Sequence, residues 1–252
     1  MADLAAVVDF CDRRTRRAEY RDFPGAENGL QVQNNGTVTK IGAAVDAGLI
    51  PFEQAAAAGV NFLIVHHGLF WDPPVPVTAH RYQKLKTCLE QNLAVYSSHL
   101  PLDGHPEIGN NAILAKELGL AVEDWFVEYE GMAMAALASG PEGGRTELAL
   151  RLQRLFPETY QAIEYGSAAP ERIAILTGSG RAALDHMSAA GVDTLITGEL
   201  RQNHFNLAQE MGWNLYPCGH YATEVFGVRE LAREVAEAFG VEWTFLQTDC
   251  RL

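Results

Sequence analysis

The stretch AGVNFLIVHH, residues 58–67, is a short apolar run that ends on two histidines. A run of this length, opened by glycine and rich in branched aliphatic residues, indicates a buried strand. The later stretch AGVDTLITGE, residues 190–199, repeats its Ala-Gly-Val and Leu-Ile steps at an offset of 132 residues. IGAAVDAG at 41–48 and IAILTGSG at 173–180 match at the same offset. One constant offset across two blocks predicts an internal duplication.

Strand-like and helix-like patterns alternate along the rest of the chain, which predicts an α/β fold with a largely parallel or mixed sheet. Helices are predicted at 2–18, from 51, and at 80–92, 107–118 and 225–240. Strands are predicted at 28–33, 40–46, 61–66, 92–99, 132–139, 159–165, 172–178, 193–198, 214–219 and 241–247. The duplication predicts two similar α/β halves, residues 1–124 and 125–224, with residues 225–252 packing back onto the first half.

The composition narrows the class of protein. A formal net charge of −13 disfavours binding to nucleic acid or to an acidic membrane surface. The arginine-rich segment at 11–21 is predicted to be the solvated face of a helix. No apolar run approaches the roughly 18 residues of a membrane helix. The four cysteines, at positions 11, 88, 218 and 250, have no Cys-x-x-Cys spacing, so reduced thiols and a cytoplasmic location are expected.

Two predicted strands end in a histidine that is followed four residues later by a carboxylate, in SSHLPLD at 97–103 and CGHYATE at 218–224. Open α/β sheets bind ligands beyond the carboxyl ends of their strands. Imidazole with carboxylate suits zinc, iron, manganese, cobalt or nickel, and bridging carboxylates let two ions lie roughly 3.5 to 4 Å apart. The sequence therefore predicts a metal site built from strand-end residues: His66, His67, His99, Asp103, His220 and Glu224.

Other residues carry weaker signals. Glu199 is predicted either to lie beside the metal site or to cap the following helix. His204 is predicted to be a satisfied surface histidine and Cys218 a packing residue. TGSG at 177–180 is read as a turn, with a phosphate cradle as the less favoured interpretation. Phe70 and Trp71, in the proline-rich segment FWDPPVPV, are expected to stack on a planar substrate or to lie between subunits.

The motifs HHGLFW, SSHLPLDG, ITGEL and GHYATE, in this order, resemble the Nif-three-like or YbgI-like family, catalogued as GTP cyclohydrolase 1 type 2 homologues. The resemblance covers essentially the whole chain, which lacks the long domain that some members insert between the halves. It implies a dinuclear metal centre, two intertwined three-layer α/β/α domains and a toroidal homohexamer. It also implies that His99 lies nearby and either supports the metal ligands or transfers a proton. The metal ligands that it implies are His66, His67, Asp103, His220 and Glu224.

Two functions are compatible with these residues. The first is a metal-dependent hydrolase acting on a nucleotide-like or other small substrate, in which two divalent ions activate water and His99 moves the proton. A nucleotide such as GTP is implied by the family's catalogue name alone. The second is a non-catalytic metal-binding scaffold or partner-binding regulatory protein, whose ions stabilise the native state by mass action. Ligand type alone leaves the native metal open.

Overall fold

A computed structural model describes residues 1–71, 75–248 and 250–252 of the chain. The fold is α/β, as the alternating pattern predicted, and the chain divides into two compact units. Unit 1 comprises residues 1–102 and 227–249, and unit 2 comprises residues 103–226 and 250–252. These compact units are not domains shown to fold independently. The domain bounds 1–124 and 125–224 therefore stay a prediction.

The elements of the first part of the chain are, in order, β1 (Ala2–Asp3), α1 (Leu4–Arg14), a 3-10 turn (Arg17–Glu19), β2 (Gly29–Val32), β3 (Thr37–Val38), β4 (Lys40–Asp46), α2 (Leu49–Ala57), β5 (Phe62–His67), α3 (Ala79–Glu90), β6 (Ala94–Ser97) and α4 (Leu100–Asp103). The next are α5 (Asn110–Glu117), β7 (Val122–Tyr129), β8 (Met132–Ser139), α6 (Gly144–Leu155), β9 (Ile163–Glu164) and β10 (Arg172–Ser179). The last are α7 (Arg181–Leu184), α8 (Met187–Ala190), β11 (Thr194–Glu199), α9 (Asn203–Met211), β12 (Asn214–Pro217), α10 (His220–Thr223), α11 (Val225–Phe239) and β13 (Glu242–Phe245).

Unit 1 is built on a sheet with the strand order β13-β4-β5-β6-β2, in which β2 alone among these strands is antiparallel to its neighbour. Successive side chains of a strand point to opposite faces. Leu63 and Val65 of β5 therefore pack with Phe52 of α2 on one face. On the other face, the Tyr96 hydroxyl donates to Asp12 of α1 at 2.7 Å. The result is helices on both sides of the sheet.

Unit 2 repeats this three-layer arrangement on a sheet with the order β7-β8-β10-β11-β12-β9. Ile173 and Ile175 of β10 share a buried cluster with residues of α5 and α6. Ala174 and Leu176, which alternate with them, share a second cluster with residues of α7, α8 and α9. The central strands are buried on both faces, which explains why they are apolar runs rather than alternating patterns.

The predicted duplication is visible in the strand register. Ile41 of β4 lies opposite Phe62 of β5, and Ile173 of β10 lies opposite Thr194 of β11, so both strands of the pair keep the 132-residue offset. The third strands have a shorter offset, because Phe62 pairs with Ala94 and Thr194 pairs with Asn214. Counting onward from Ala94 and Asn214, the position equivalent to His99 is Gly219. The two His-x-x-x-acid motifs are thus displaced by one residue in the repeated fold.

Two predicted elements are shorter in the structure, and the edge strand β7 was not predicted. Helix α1 ends at Arg14 instead of residue 18, because Arg16 takes a left-handed conformation with φ 54°. The strand predicted at 159–165 is reduced to Ile163–Glu164. The edge strand β7 was missed because its acidic residues give it no continuous apolar run. Among the helices that the structure describes, none is long and apolar enough to cross a membrane.

Candidate metal centre

Unit 1 brings three histidines together at the carboxyl end of its sheet. His66 and His67 are the last residues of β5, and His99 follows the neighbouring parallel strand β6. One ring nitrogen from each lies within 4.8 Å of those of the other two. His66 is fully buried, His99 is 7% exposed and His67 is half-buried. We call this group the histidine set. It confirms that the three residues meet, as their strand-end positions predicted.

Each ring of the histidine set directs Nδ1 at an oxygen that only accepts hydrogen bonds. Nδ1 must therefore carry the proton, and in the neutral ring the lone pair then resides on Nε2. Such an acceptor behind each imidazole is the usual arrangement around metal-binding histidines, because it fixes the tautomer and the ring orientation. The three pairs are His66 with the Ser98 carbonyl at 3.0 Å, His67 with Asp46 Oδ1 at 2.8 Å, and His99 with Asp22 Oδ1 at 2.8 Å.

Asp22 is tied into the backbone around His99. Its second oxygen accepts from the Asn28 side-chain amide at 2.8 Å and from the Leu100 backbone N–H at 3.0 Å. Asn28 in turn accepts the His99 backbone N–H at 2.7 Å. Burial by itself raises the pKa of Asp22, but the hydrogen bond and charge of His99 bring that pKa below its ordinary value. Asp22 thus stays ionised and holds the His99 ring in one orientation.

Unit 2 places a second group of ligand atoms at the end of its own sheet. His220 Nε2 lies 3.2 Å from Glu224 Oε1, and His220 Nδ1 lies 3.3 Å from Glu199 Oε1. Glu224 is 3% exposed, whereas the Glu199 side chain is about half exposed. The hydrogen bond that His220 donates to Glu224, reinforced by the charges of Glu224 and Glu199, raises the pKa of His220 to about 9 despite its burial. Of the two roles predicted for Glu199, a place beside His220 is the one observed.

Asp103, the third predicted ligand in this unit, is held by hydrogen bonds from two side chains. The Asn110 amide donates to Asp103 Oδ1 at 2.9 Å, and the Thr177 hydroxyl donates to the same oxygen at 3.3 Å. Asn111 braces the segment by donating to the Asp103 carbonyl at 3.1 Å and accepting the Thr177 backbone N–H at 2.7 Å. We call Asp103, His220 and Glu224 the acid set of unit 2, because two of the three side chains are carboxylates.

Gly178 provides the space that Glu224 occupies. Its φ is +63°, and a Cβ placed on it would lie 2.2 Å from Glu224 Oε1 and 3.2 Å from His220 Nε2. The Gly178 N–H donates to the Thr223 hydroxyl at 3.1 Å. The TGSG segment is therefore neither a free turn nor a phosphate cradle: Thr177 and Gly178 belong to β10 and contact carboxylates, which would repel a phosphate.

The residues with weaker sequence signals differ in burial and in their contacts. Cys218 is fully buried in an apolar cluster, which confirms its packing role. His204 is buried rather than at the surface, and its Nδ1 accepts the Arg201 backbone N–H at 3.1 Å. The Trp71 ring centroid lies 4.4 Å from that of His99, while Phe70 is 43% exposed. The middle of the FWDPPVPV segment, residues 72–74, lies outside the described residues.

Several supporting residues escaped the sequence analysis. Asp46 ends β4 beside β5, so the strand-end argument that selected His67 would also have found it. Asp22 and Asn28 lie in an irregular segment with no periodicity, and Asn110 and Asn111 look like ordinary residues at a helix start. Only the folded backbone brings these side chains to the ligands.

The fold and these side chains define an α/β protein whose described residues include groups of His, Asp and Glu that could hold a metal ion. Nitrogen and oxygen donors with oriented imidazoles fit divalent transition metals. Residues 3–250 match the model of the Duf34/NIF3 (NGG1p interacting factor 3) family. The chain belongs to this family, and the resemblance drawn from the four motifs is confirmed.

Known relatives span nearly the whole chain. A protein of Deinococcus radiodurans named GTP cyclohydrolase 1 type 2 homolog is 40% identical over 220 residues, which cover 87% of this chain and 84% of that protein. The crystal structure of TTHA1606 from Thermus thermophilus matches with a TM-score of 0.88 and 36% identity, covering 100% of both chains. A structure described as protein ybgI, of unknown function, matches with a TM-score of 0.91 and 31% identity, also covering 100% of both.

The hydrogen bond between Asp46 and His67 fixes the tautomer and orientation of the imidazole ring. Removing the Asp46 carboxylate tests whether this contact increases the affinity for metal. Asp46→Ala is expected to weaken binding of Zn²⁺ or Mn²⁺ by about 10- to 100-fold, the usual effect of losing such a partner. Isothermal titration calorimetry on EDTA-treated protein measures it. Asp9→Ala removes an exposed carboxylate from α1 and serves as the control. Equal affinities for both variants would show that the Asp46–His67 contact has no part in metal binding.

Proposed function

We propose that this chain is a metal-dependent hydrolase that binds two divalent ions and acts on a nucleotide-like or other small substrate. The ions would be zinc, iron, manganese, cobalt or nickel. The ligands in this proposal are His66, His67, Asp103, His220 and Glu224, and His99 is the proton-transfer residue. The observation that carries the proposal is the shared Nδ1 pattern: every histidine involved has a carbonyl or carboxylate oxygen behind that nitrogen.

The histidine set of unit 1 supports metal binding through its chemistry. Three imidazoles whose ligand nitrogens lie within 4.8 Å of one another offer several nitrogen donors to one divalent ion, and imidazole nitrogen suits divalent transition metals. Trp71 covers the edge of His99 and approaches His67, with ring centroids 4.4 and 5.5 Å apart. An aromatic cover lowers the local dielectric and strengthens any charge interaction at the histidines.

The acid set of unit 2 supports a bound cation through its charge. Asp103 and Glu224 are both less than 10% exposed. Their ligand oxygens lie within 4.8 Å of each other, and a cation shared by two carboxylates this close offsets their mutual repulsion. Gly178 leaves room for the Glu224 carboxylate. It therefore allows an anionic oxygen to remain beside His220, where it could bind a cation.

Bound divalent ions would supply Lewis acidity, which lowers the pKa of water and polarises an electrophilic carbon or phosphorus. The Nε2 atom of His99 would take up the proton that water releases, because Nδ1 of the same ring already carries a proton that it donates to Asp22. The ionised Asp22 stabilises the resulting imidazolium. Relatives that carry the name GTP cyclohydrolase 1 type 2 homolog support a nucleotide-like substrate, and the proposal extends to other small electrophiles.

Metal content and turnover test this function directly. Protein purified without chelators is expected to carry about two divalent ions per chain, as in two-ion hydrolytic sites, measured by elemental analysis. Asp103→Asn keeps the side-chain shape but removes the charge, so it is expected to lose at least one ion. A screen of nucleotides, phosphoesters and amides should give turnover that this variant abolishes.

Asp185→Asn, an exposed aspartate in the same unit, is the matched control and should keep both metal and activity. A wild-type protein without bound metal, after reconstitution with each candidate ion, would contradict metal binding altogether. Saturated metal sites without turnover on any substrate class would instead favour the scaffold or regulatory role. Hydrolysis that survives unchanged in Asp103→Asn would contradict the assignment of the site.

Two further properties belong to this proposal. A toroidal homohexamer and a cytoplasmic location are expected, the first from the family resemblance and the second from the unpaired cysteine pattern. Cys11, Cys88, Cys218 and Cys250 are all free thiols, which is compatible with a reducing compartment. The acidic net charge supports a small-molecule substrate over nucleic acid or a membrane surface.

A further inference from the structure

Unit 1 contains a cavity of about 560 Å³ whose described lining comes largely from helix α3 and from residues 68–71, 75 and 77. Pockets that bind small organic molecules typically measure about 300 to 1,000 Å³. The cavity lies beside the histidine set, because Trp71 lines it and also contacts His67 and His99. The nature of its walls therefore bears on which molecules reach those histidines.

One wall of the cavity is cationic in a protein whose net charge is −13. His80, Arg81 and Lys84 line it from α3, and positions three and four apart share a helix face. The Lys84 ammonium is fixed by donating to the Ala47 carbonyl at 3.0 Å. Burial lowers the pKa of Lys84, and the charge of Arg81 lowers it further, while the charge of Asp46 raises it. The charges of Arg81 and Lys84 repel each other, and an anion bound between them would offset that repulsion.

The lining of the cavity is also apolar and aromatic. Trp71 and Phe70 contribute to it from the residues that follow β5 and Leu85 contributes from α3, and Phe70 exposes 43% of its surface. Flat aromatic side chains favour a flat ligand, because stacked and edge-to-face contacts between rings are favourable. The carboxylate among the described lining residues, Glu27, is exposed, so solvent screens its charge. The cationic and aromatic side chains together suit a molecule that carries both a planar ring and an anionic group.

We propose that this cavity binds a small aromatic anion, with its phosphate or carboxylate at Arg81 and Lys84 and its ring against Trp71 and Phe70. Binding at this cavity stands independently of metal. The further claim that such anions are the substrates handled at the histidine set, which lies beside Trp71, rests on the proposed function. The cavity then selects planar phosphates or carboxylates and holds them next to His67 and His99.

The test compares three ligands that share one ring. 1-Naphthyl phosphate, 2-naphthoate and 2-naphthol are titrated calorimetrically into EDTA-treated full-length protein. The two anions are expected to bind at least tenfold more tightly than the neutral naphthol, since hydrogen bonds to charged groups are the stronger ones. The ranking of phosphate against carboxylate identifies the preferred anion.

Arg81→Gln and Lys84→Gln are each expected to weaken binding of the preferred anion by about tenfold or more. Lys86→Gln makes the same charge change on the same helix, at an exposed residue that pairs with Glu90, and should alter affinity less than twofold. Circular dichroism of each variant confirms folding, and the two cavity variants act as independent checks on each other.

Three results would overturn the proposal: no saturable binding of either anion, equal binding of naphthol, or an equal loss in Lys86→Gln. Metal content, measured on untreated protein from the same preparation, separates this failure from failure of the proposed function. Absence of anion binding with metal still present refutes the cavity alone. Anion binding in a protein that takes up no metal refutes the metal centre alone.

Discussion

Alanine at position 178 is expected to displace Glu224 and to weaken metal binding by more than the roughly 100-fold that losing a supporting partner costs. The new methyl group would lie 2.2 Å from Glu224 Oε1, and the flexible end of that side chain is what must move. The buried carboxylate then leaves His220 and the place from which, in the proposed function, it would bind metal. The left-handed conformation at φ +63° adds a destabilisation of about 1 to 2 kcal/mol.

Gly191→Ala separates the two effects of this substitution. Gly191 has a nearly identical φ of +65°, lies in the same unit and has nothing within 4 Å of an added Cβ. It should show the conformational cost in urea unfolding and keep wild-type metal affinity in calorimetry. Equal metal affinities in Gly178→Ala and Gly191→Ala would mean that the Glu224 carboxylate is not a metal ligand.

Truncating Phe52 is expected to destabilise the protein by about 3 to 5 kcal/mol, the range found for Phe-to-Ala changes in cores. Phe52 is fully buried in α2, where it packs with Leu63 and Val65 of the strand that ends in His66 and His67. Its loss leaves a cavity directly beneath the central strand. The free energy of unfolding, from urea titration followed by circular dichroism, measures the effect.

Ile50→Ala, two residues earlier in the same helix, is the control. Ile50 is 61% exposed, so its truncation should change stability by no more than about 0.5 kcal/mol. A comparable loss at both positions would contradict the difference in burial between Phe52 and Ile50. A loss below about 1 kcal/mol at Phe52 would contradict the packing of α2 on the sheet.

The sequence by itself determined the α/β class, the duplicated strand pair and the positions of the candidate metal-ligating residues. These features depend on short-range patterns: the apolar runs at 62–67 and 194–199 identify central strands, and the polar residues at their carboxyl ends mark where the strands stop. The 132-residue offset needs only the two aligned stretches, and the register of β4–β5 and β10–β11 agrees with it.

The tertiary structure alone decided how the ligands are held. Asp22 reaches His99 across 77 residues of chain, and Asp103 is anchored by Thr177 across 74. Contacts at such separations depend on how strands are ordered in a sheet, and no local periodicity encodes them. The one-residue displacement between His99 and His220 was hidden for the same reason. It follows from pairing partners on β6 and β12, which only the folded sheets define.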